Sequence, residues 1–284
     1  MDEQRIQAYL QLIFSLLNCP DGQEIELLEA NPDLVDGGLL EWMALVAADL
    51  ADQNAADWLL NFASQLAEAL GISSSSATRE EYFAFLGELL DAEYESNGNP
   101  QAVYRVLQRH LNKLDTHFAQ ILQEGATALI SQQPEYAESI VALIEKISVR
   151  IEEFPRGNIA NNQEIAIAGY AVVLQNREED TEMWAHTQNN LGIVYGNRIK
   201  GDKAENIELA IAAYTLALQV RTPQAFPKKW AMTQNNLGTA YCNRIKGDKA
   251  DNIELAIAAY TLALQVRTPQ AFPKKWAMTQ NNLG

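Results

Sequence analysis

Apolar and polar positions from residue 184 onward follow a phrase that repeats at a fixed period. Trp184, Trp230 and Trp276 each open it, 46 residues apart. Residues 184–229 match 230–275 everywhere except positions 186, 193, 194, 196 and 205. Within a unit, Trp184, Leu191 and Tyr195 fall on one side at helical spacing, with Thr187 and Val194 flanking them, so a first helix is predicted. Gly201 then suits a left-handed stop, and Asn206 is expected to cap a second helix over Ile207–Val220. That helix is apolar around most of its circumference and leaves only Glu208, Ala212, Thr215 and Gln219 as an outer strip. It must therefore pack on several sides. Thr222-Pro223 ends it, and Pro227 fits the first turn of the next helix. Small residues Gly192, Ala210 and Ala217 allow close helix approach, while Tyr195 and Tyr214 fill the space beside them.

The pair Leu191-Gly192-x-x-Tyr195 and Ala210-x-x-x-Tyr214-x-x-Ala217 resembles the tetratricopeptide repeat (TPR). That repeat commonly has about 34 residues; the unit here is longer in both turns, Arg198–Asn206 and Arg221–Lys229. Long units with an Asn-Asn-Leu phrase resemble those of kinesin light chains. The wording Trp-Ala-x-Thr-Gln-Asn-Asn-Leu-Gly is closer still to bacterial, especially cyanobacterial, proteins in which such arrays precede a CHAT domain, a caspase-like peptidase. The likeness covers about residues 160–284 and implies a right-handed superhelix of helix pairs. An eroded unit is expected at 134–183, with a first helix at Pro134–Ile151 and Glu164–Gln175 aligned to Glu208–Gln219. A third copy stops at Gly284 in mid-phrase, so the chain is expected to be part of a longer one.

Residues 1–130 lack the repeat. Helices are predicted near 2–17, 39–52, 55–70, 78–95 and 100–131, with no period-2 strands. Breaks fall at Pro20-Asp21-Gly22, Asn31-Pro32-Asp33, Gly37-Gly38, Gly71 through Ser76 and Asn97 to Pro100; Ser73–Ser76 is the expected mobile loop. Charge divides the chain at the same place. Of 37 acidic and 21 basic residues, residues 1–130 hold 21 and 5, leaving 16 of each for 131–284. The whole net charge of −16 thus sits in the first segment. Two domains follow: an acidic helical one over 1–130 and a TPR array over 131–284, with units 184–229 and 230–275 and a partial unit 276–284. Acidity disfavours nucleic-acid or anionic-membrane binding through the first segment, and no stretch reaches the length of a membrane span. Cys19 and Cys242 cannot make a disulfide framework. The expected setting is cytoplasmic.

Chemistry is sparse. His110 and His117, read as lying on one helix two turns apart, are separated by about 10.5 Å, too far for both to bind one metal. No phosphate loop, HExxH, CxxC or GxSxG occurs. Cys242 replaces Gly196 of the preceding unit and has no base beside it in the pattern. No catalytic residue, metal site or cofactor is expected; a peptidase implied by the CHAT likeness would lie beyond residue 284. The Trp and Tyr ladders read as core, and the lysine-rich turns as mixed solvated charge.

One strip remains. Opposite Trp184, Leu191 and Tyr195, the first helix carries His186, Asn189, Asn190, Ile193, Gly196 and Asn197, and its copy carries Met232, Asn235, Asn236, Thr239, Cys242 and Asn243. Three of the five copy differences fall there: His186/Met232, Ile193/Thr239 and Gly196/Cys242. Carboxamides offer donor and acceptor together, so the Asn columns suit an extended backbone. In the TPR proteins it resembles this strip lines the concave groove, and in kinesin light chains the corresponding asparagines face cargo. No Lys or Arg lies on it, which argues against a ligand held by a terminal carboxylate. The expectation is an all-α, non-enzymatic protein that binds a protein or peptide segment in the groove. The alternative is a scaffold that self-assembles end to end, giving a homodimer through residues 276–284.

Overall fold

A computed structural model of the chain describes residues 3–20, 22–50, 52–70, 77–96 and 98–284; the expected loop at Ser73–Ser76 lies outside the described residues. Among these residues there are fourteen α-helices, three single 3-10 turns and no strand. The fold is all-α. The N-terminal helices are α1 (Glu3–Asn18), α2 (Glu24–Glu29), α3 (Gly37–Asp49) and α4 (Gln53–Ala69). Then come α5 (Arg79–Glu95), α6 (Pro100–Arg109), α7 (Thr116–Gln132), α8 (Ala137–Glu152) and α9 (Ile159–Gln175). The repeats supply α10 (Glu182–Asn197), α11 (Lys203–Val220), α12 (Pro227–Cys242), α13 (Lys249–Leu264) and α14 (Pro273–Leu283).

Two departures from the expected elements have local causes. Helix α2 buries none of its side chains, so it left no periodic apolar signal. The long helix expected over 100–131 is instead two, separated by a 3-10 turn at Leu111–Lys113. Asp115 makes the second start by accepting the Phe118 amide at 2.9 Å. No Gly or Pro marks this break. His110 and His117 therefore sit on different elements: His110 Nε2 lies 3.3 Å from Glu88, and the His117 ring stands edge-on to Tyr82 at 4.9 Å.

Two large buried clusters organise the first 175 residues. One gathers Tyr9, Ile13, Leu39, Met43 and Leu59 from α1, α3 and α4. The other runs from Tyr82 to Val173 and includes Phe118, Ile121, Ile144, Ile147 and Ile165. The expected boundary at 130/131 falls inside this second cluster. Charge balance changes there along the chain, but side-chain packing does not. The reason is the face Phe118, Ile121, Leu122, Gly125 and Ala126 of α7, buried at helical spacing between α5 and α9. Polar contacts join the first cluster's helices to the array: Lys200 with Glu68 at 3.3 Å, exposed, and Asn158 with Ser64 at 3.3 Å, part-buried.

From α8 onward the helices pair as α8/α9, α10/α11 and α12/α13. Each pair closes in the same way. Gly192 on α10 faces the Tyr214 ring of α11, and Gly238 on α12 faces Tyr260 of α13; a Cβ there would stand 2.6 and 2.7 Å from ring carbons. In the eroded pair Ser148 takes the place of Gly192, and the room comes from Gly169 on the opposite helix. Gly201 has φ +79° and Gly247 φ +82°, the left-handed bend that favours glycine.

Asn206 is not the cap of α11. Asp202 is, accepting the Glu205 amide at 2.9 Å, so the helix starts four residues earlier than expected. The buried Asn206 instead donates to the Lys200 carbonyl at 2.8 Å and accepts from Arg198 at 3.2 Å, bracing the turn. Asn162 and Asn252 do the equivalent with the carbonyls of Arg156 and Lys246. The outer strip of α11 is also wider than expected: Leu209 and Leu216 are exposed, and Glu208 is engaged by Arg244. Each second helix is tied to the end of the next first helix by such a bidentate pair, Arg198 with Glu164 (2.7 Å for both bonds) and Arg244 with Glu208 (2.7 and 2.8 Å).

Gly192→Ala is expected to destabilise the chain by about 1–3 kcal/mol by overpacking against Tyr214. Gly87→Ala, where an added methyl meets nothing within 4 Å, should stabilise α5 by up to about 1 kcal/mol. Urea midpoints at unchanged m-value measure both.

Candidate functional site

Helices α10 and α12 lie side by side, with α11 passing behind them. Between their C-terminal halves is a pocket of ≈ 180 Å³. Ile193, Gly196 and Asn197 line it from α10, and Asn236, Thr239 and Asn243 from the end of α12. Six of the twelve residues expected to bind a partner are thus brought together. Ile207, Tyr214 and Ala240 complete an apolar floor beneath the carboxamide rim.

The copy differences shape this pocket. In the second unit Thr239 lies 3.0 Å from the Tyr260 hydroxyl, and Cys242 Sγ lies 3.9 Å from it. The first unit has Ile193 and Gly196 at those positions. Tyr214 is left with no hydrogen-bond partner among the described residues, at the floor of the pocket. Burial pushes its hydroxyl well above the ordinary range, so it remains a donor at neutral pH.

The other expected residues behave differently. Asn189 and Asn235 are buried, at 0% and 4% exposure, and serve the joints between helix pairs. The Thr233 hydroxyl reaches Asn189 Oδ1 at 3.0 Å, and Thr279 reaches Asn235 Oδ1 at 2.8 Å. One joint earlier, Thr187 reaches Glu145 Oε1 at 2.6 Å. Each of these hydroxyls also accepts from a buried arginine: Arg177 to Thr187 at 2.7 Å, Arg221 to Thr233 at 3.1 Å and Arg267 to Thr279 at 2.8 Å. No Lys or Arg stands on the strip itself, but fully buried Arg221 reaches its His186 from behind. Arg221 and Arg267 start just beyond α11 and α13 and turn back between the first helices. Their sequence signal was an Arg-Thr pair recurring after each second helix, Arg221-Thr222 and Arg267-Thr268.

His186 belongs to the same joint. Its Nδ1 accepts from Arg221 at 3.2 Å, and its Nε2 stands 3.3 Å from the Asn190 carboxamide. Burial pushes this imidazole below its ordinary range, with Arg221 and Lys229 adding to the effect against Glu145 and Glu182. Burial pushes the Glu182 carboxyl up, but bonds from Lys229 (2.7 Å) and Arg221 (3.1 Å) outweigh it and hold the group low. Met232 is half-buried at the position of His186, and Cys242 is exposed at the end of α12. Trp184 and Trp230 are core, at 7% and 6% exposure. Among the described residues no group of three or more His, Cys, Asp or Glu is placed to hold a metal ion, and no helix is long and apolar enough to cross a membrane.

No family model matches the chain, and no curated protein matches it. A solved structure, "Crystal structure of BtubC (BKLC) from P. vanneervenii", is similar over 93% of this chain and 90% of that one, at 17% identity and a TM-score of 0.40. The recurrent helix pairs and their joints, not that likeness, carry the fold assignment.

Thr233→Val is expected to cost about 1–3 kcal/mol, because it strips a partner from buried Arg221 and Asn189 together. Folded His186 stays neutral where its unfolded counterpart, with an ordinary value near 6.5, takes a proton. Stability should therefore fall as pH drops below about 6.5, and His186→Met should flatten that part of a Tm-against-pH profile. Glu182, held low in the fold, contributes stability above its ordinary value that is lost as acid protonates it.

Proposed function

We propose that the chain is a non-enzymatic protein-interaction module that holds an extended segment of a partner across its first helices. The convergence of Ile193, Gly196, Asn197, Asn236, Thr239 and Asn243 on one pocket is the observation that supports this reading. The pocket is sized for one apolar side chain. Its rim of carboxamides supplies donors and acceptors to a passing backbone, and the Tyr214 hydroxyl offers a further donor at the floor. His186, Met232 and Cys242 lie on the same strip and vary between copies, so they fit a role in selectivity. Asn189 and Asn235 support the groove from below. That such an array serves as the sensor or regulatory arm of a caspase-like CHAT protein rests on the wording Trp-Ala-x-Thr-Gln-Asn-Asn-Leu-Gly alone.

The test is selection of displayed random dodecapeptides against the 284-residue chain, followed by titration of the enriched peptides against Asn190→Ala/Asn236→Ala/Ile193→Arg. Loss of about tenfold or more in affinity at unchanged Tm is expected, since each 1.4 kcal/mol is a factor of ten. Equal affinity for both proteins would remove the groove from the reading. Concentration-dependent dimers in sedimentation, with no peptide enriched, would favour end-to-end assembly, for which the half-buried Trp276 is the relevant surface.

A further inference from the structure

The three joints share a buried arginine but not its counter-charge. At the first, Arg177 is paired with Glu145 at 2.8 Å. At the second, fully buried Arg221 is paired with Glu182 at 3.1 Å. At the third, Arg267 is 4% exposed and donates to Thr279, with no ion pair to any described residue. The substitutions explain why. Advancing one unit of 46 residues converts Glu182 into Lys228, and His186 into Met232. The position of Glu145 is taken by Asn189 at the second joint and Asn235 at the third, both neutral. Burial alone acts on the Arg267 guanidinium and pushes it down, whereas at Arg221 the Glu182 carboxylate opposes the same push. A buried cation has been left at the joint while the chain's own carboxylate was replaced by a second cation, Lys228, which lies over the Phe272 ring at 5.5 Å.

We propose that the joint at Arg267 is a subsite for an acidic side chain of the bound segment, whose carboxylate occupies the place that Glu182 fills one unit earlier. The reason is internal to the molecule: the same arginine, in the same setting, takes a carboxylate twice from within the chain. The group needed is thus a carboxylate, which accepts a charge-assisted N–H bond from the guanidinium. By the 46-residue offset Lys228 and Lys275 take the positions of Glu182 and Lys229, and their charge draws an anion toward this end of the joint. Met232 keeps one side apolar. The inference rests on the groove reading and adds a register to it: an acidic residue lies one repeat beyond the side chain that enters the pocket at Ile193.

The experiment follows the Arg267 Nε–H resonance of the 15N-labelled 284-residue chain. The probe is an acetylated, amidated alanine hexapeptide with one central glutamate. A glutamine version and an acetylated alanine hexapeptide with a free carboxyl end are the comparisons. A saturable shift with the glutamate peptide is expected, weaker by about tenfold or more with glutamine, and abolished in Lys228→Glu, which restores the carboxylate and should raise Tm. Arg267→Met should leave Tm unchanged or higher, while Arg221→Met should lower it, since only the latter takes a cation from a carboxylate, leaving Glu182 to Lys229 alone. The proposal is overturned by no saturable shift, by an undiminished shift in Lys228→Glu, or by equal Tm losses in the two arginine variants. Binding of the free-carboxyl peptide alone would overturn the side-chain assignment. Selected peptides that bind at the Ile193 pocket without moving Arg267 would sink this inference alone; a carboxylate at Arg267 with no groove-dependent peptide would sink the groove reading alone.

Discussion

A single threonine hydroxyl at each joint holds the array together. Thr187, Thr233 and Thr279 stand where two first helices and the end of a second helix meet, and each is engaged both by an arginine and by an acceptor from the preceding pair. Inside a protein such bonds are stronger than in water, and an unpaired member is correspondingly expensive. The helix pairs can therefore dock in only one register. Everything else on the groove, including the pocket at Ile193, inherits its geometry from that register. At the C-terminal ends of α10 and α12 the bidentate bridges Arg198–Glu164 and Arg244–Glu208 tie the first two joints a second time.

The repeat was legible because a copied unit writes its own boundaries. The Trp period, the Gly201 bend, Pro227 in the first turn of α12 and the glycine-against-tyrosine closure all follow from local chemistry at constant offset. Two kinds of feature were not legible. The first is a boundary made by tertiary packing. The face of α7 looked like the end of an acidic domain by charge, yet its apolar residues complete a core with α8 and α9. The second is a side chain that travels. Arg221 and Arg267 belong to turns by sequence and to the groove by position, because a long side chain reaches back across the helix end. Asn206 misled for a related reason: it has the chemistry of a cap, but Asp202 lies nearer the helix start and takes that role.

The candidate groove separates residues that look equivalent in sequence. Asn189 and Asn190 are adjacent and both recur in every copy, yet one is sealed between helix pairs and the other is half-open beside His186. A helical step of 100° is enough to divide structural from accessible carboxamides. The differences between copies also divide. Ile193/Thr239 and Gly196/Cys242 decide whether a tyrosine hydroxyl is satisfied within the unit, and His186/Met232 accompanies the loss of a buried ion pair.

The joints obey an arithmetic of constant offset, and this bears on how the gene can vary. The threonine links and the bidentate outer bridges in the two matching units join residues that recur 46 positions later. Unequal recombination that adds or removes a whole multiple of that length leaves each surviving threonine facing its arginine and carboxamide, and each outer arginine its glutamate. A slip by any other length severs the hydroxyl links and the outer bridges together. Array length is thus the variable this architecture leaves open to inheritance, whereas the phase between units is closed to it.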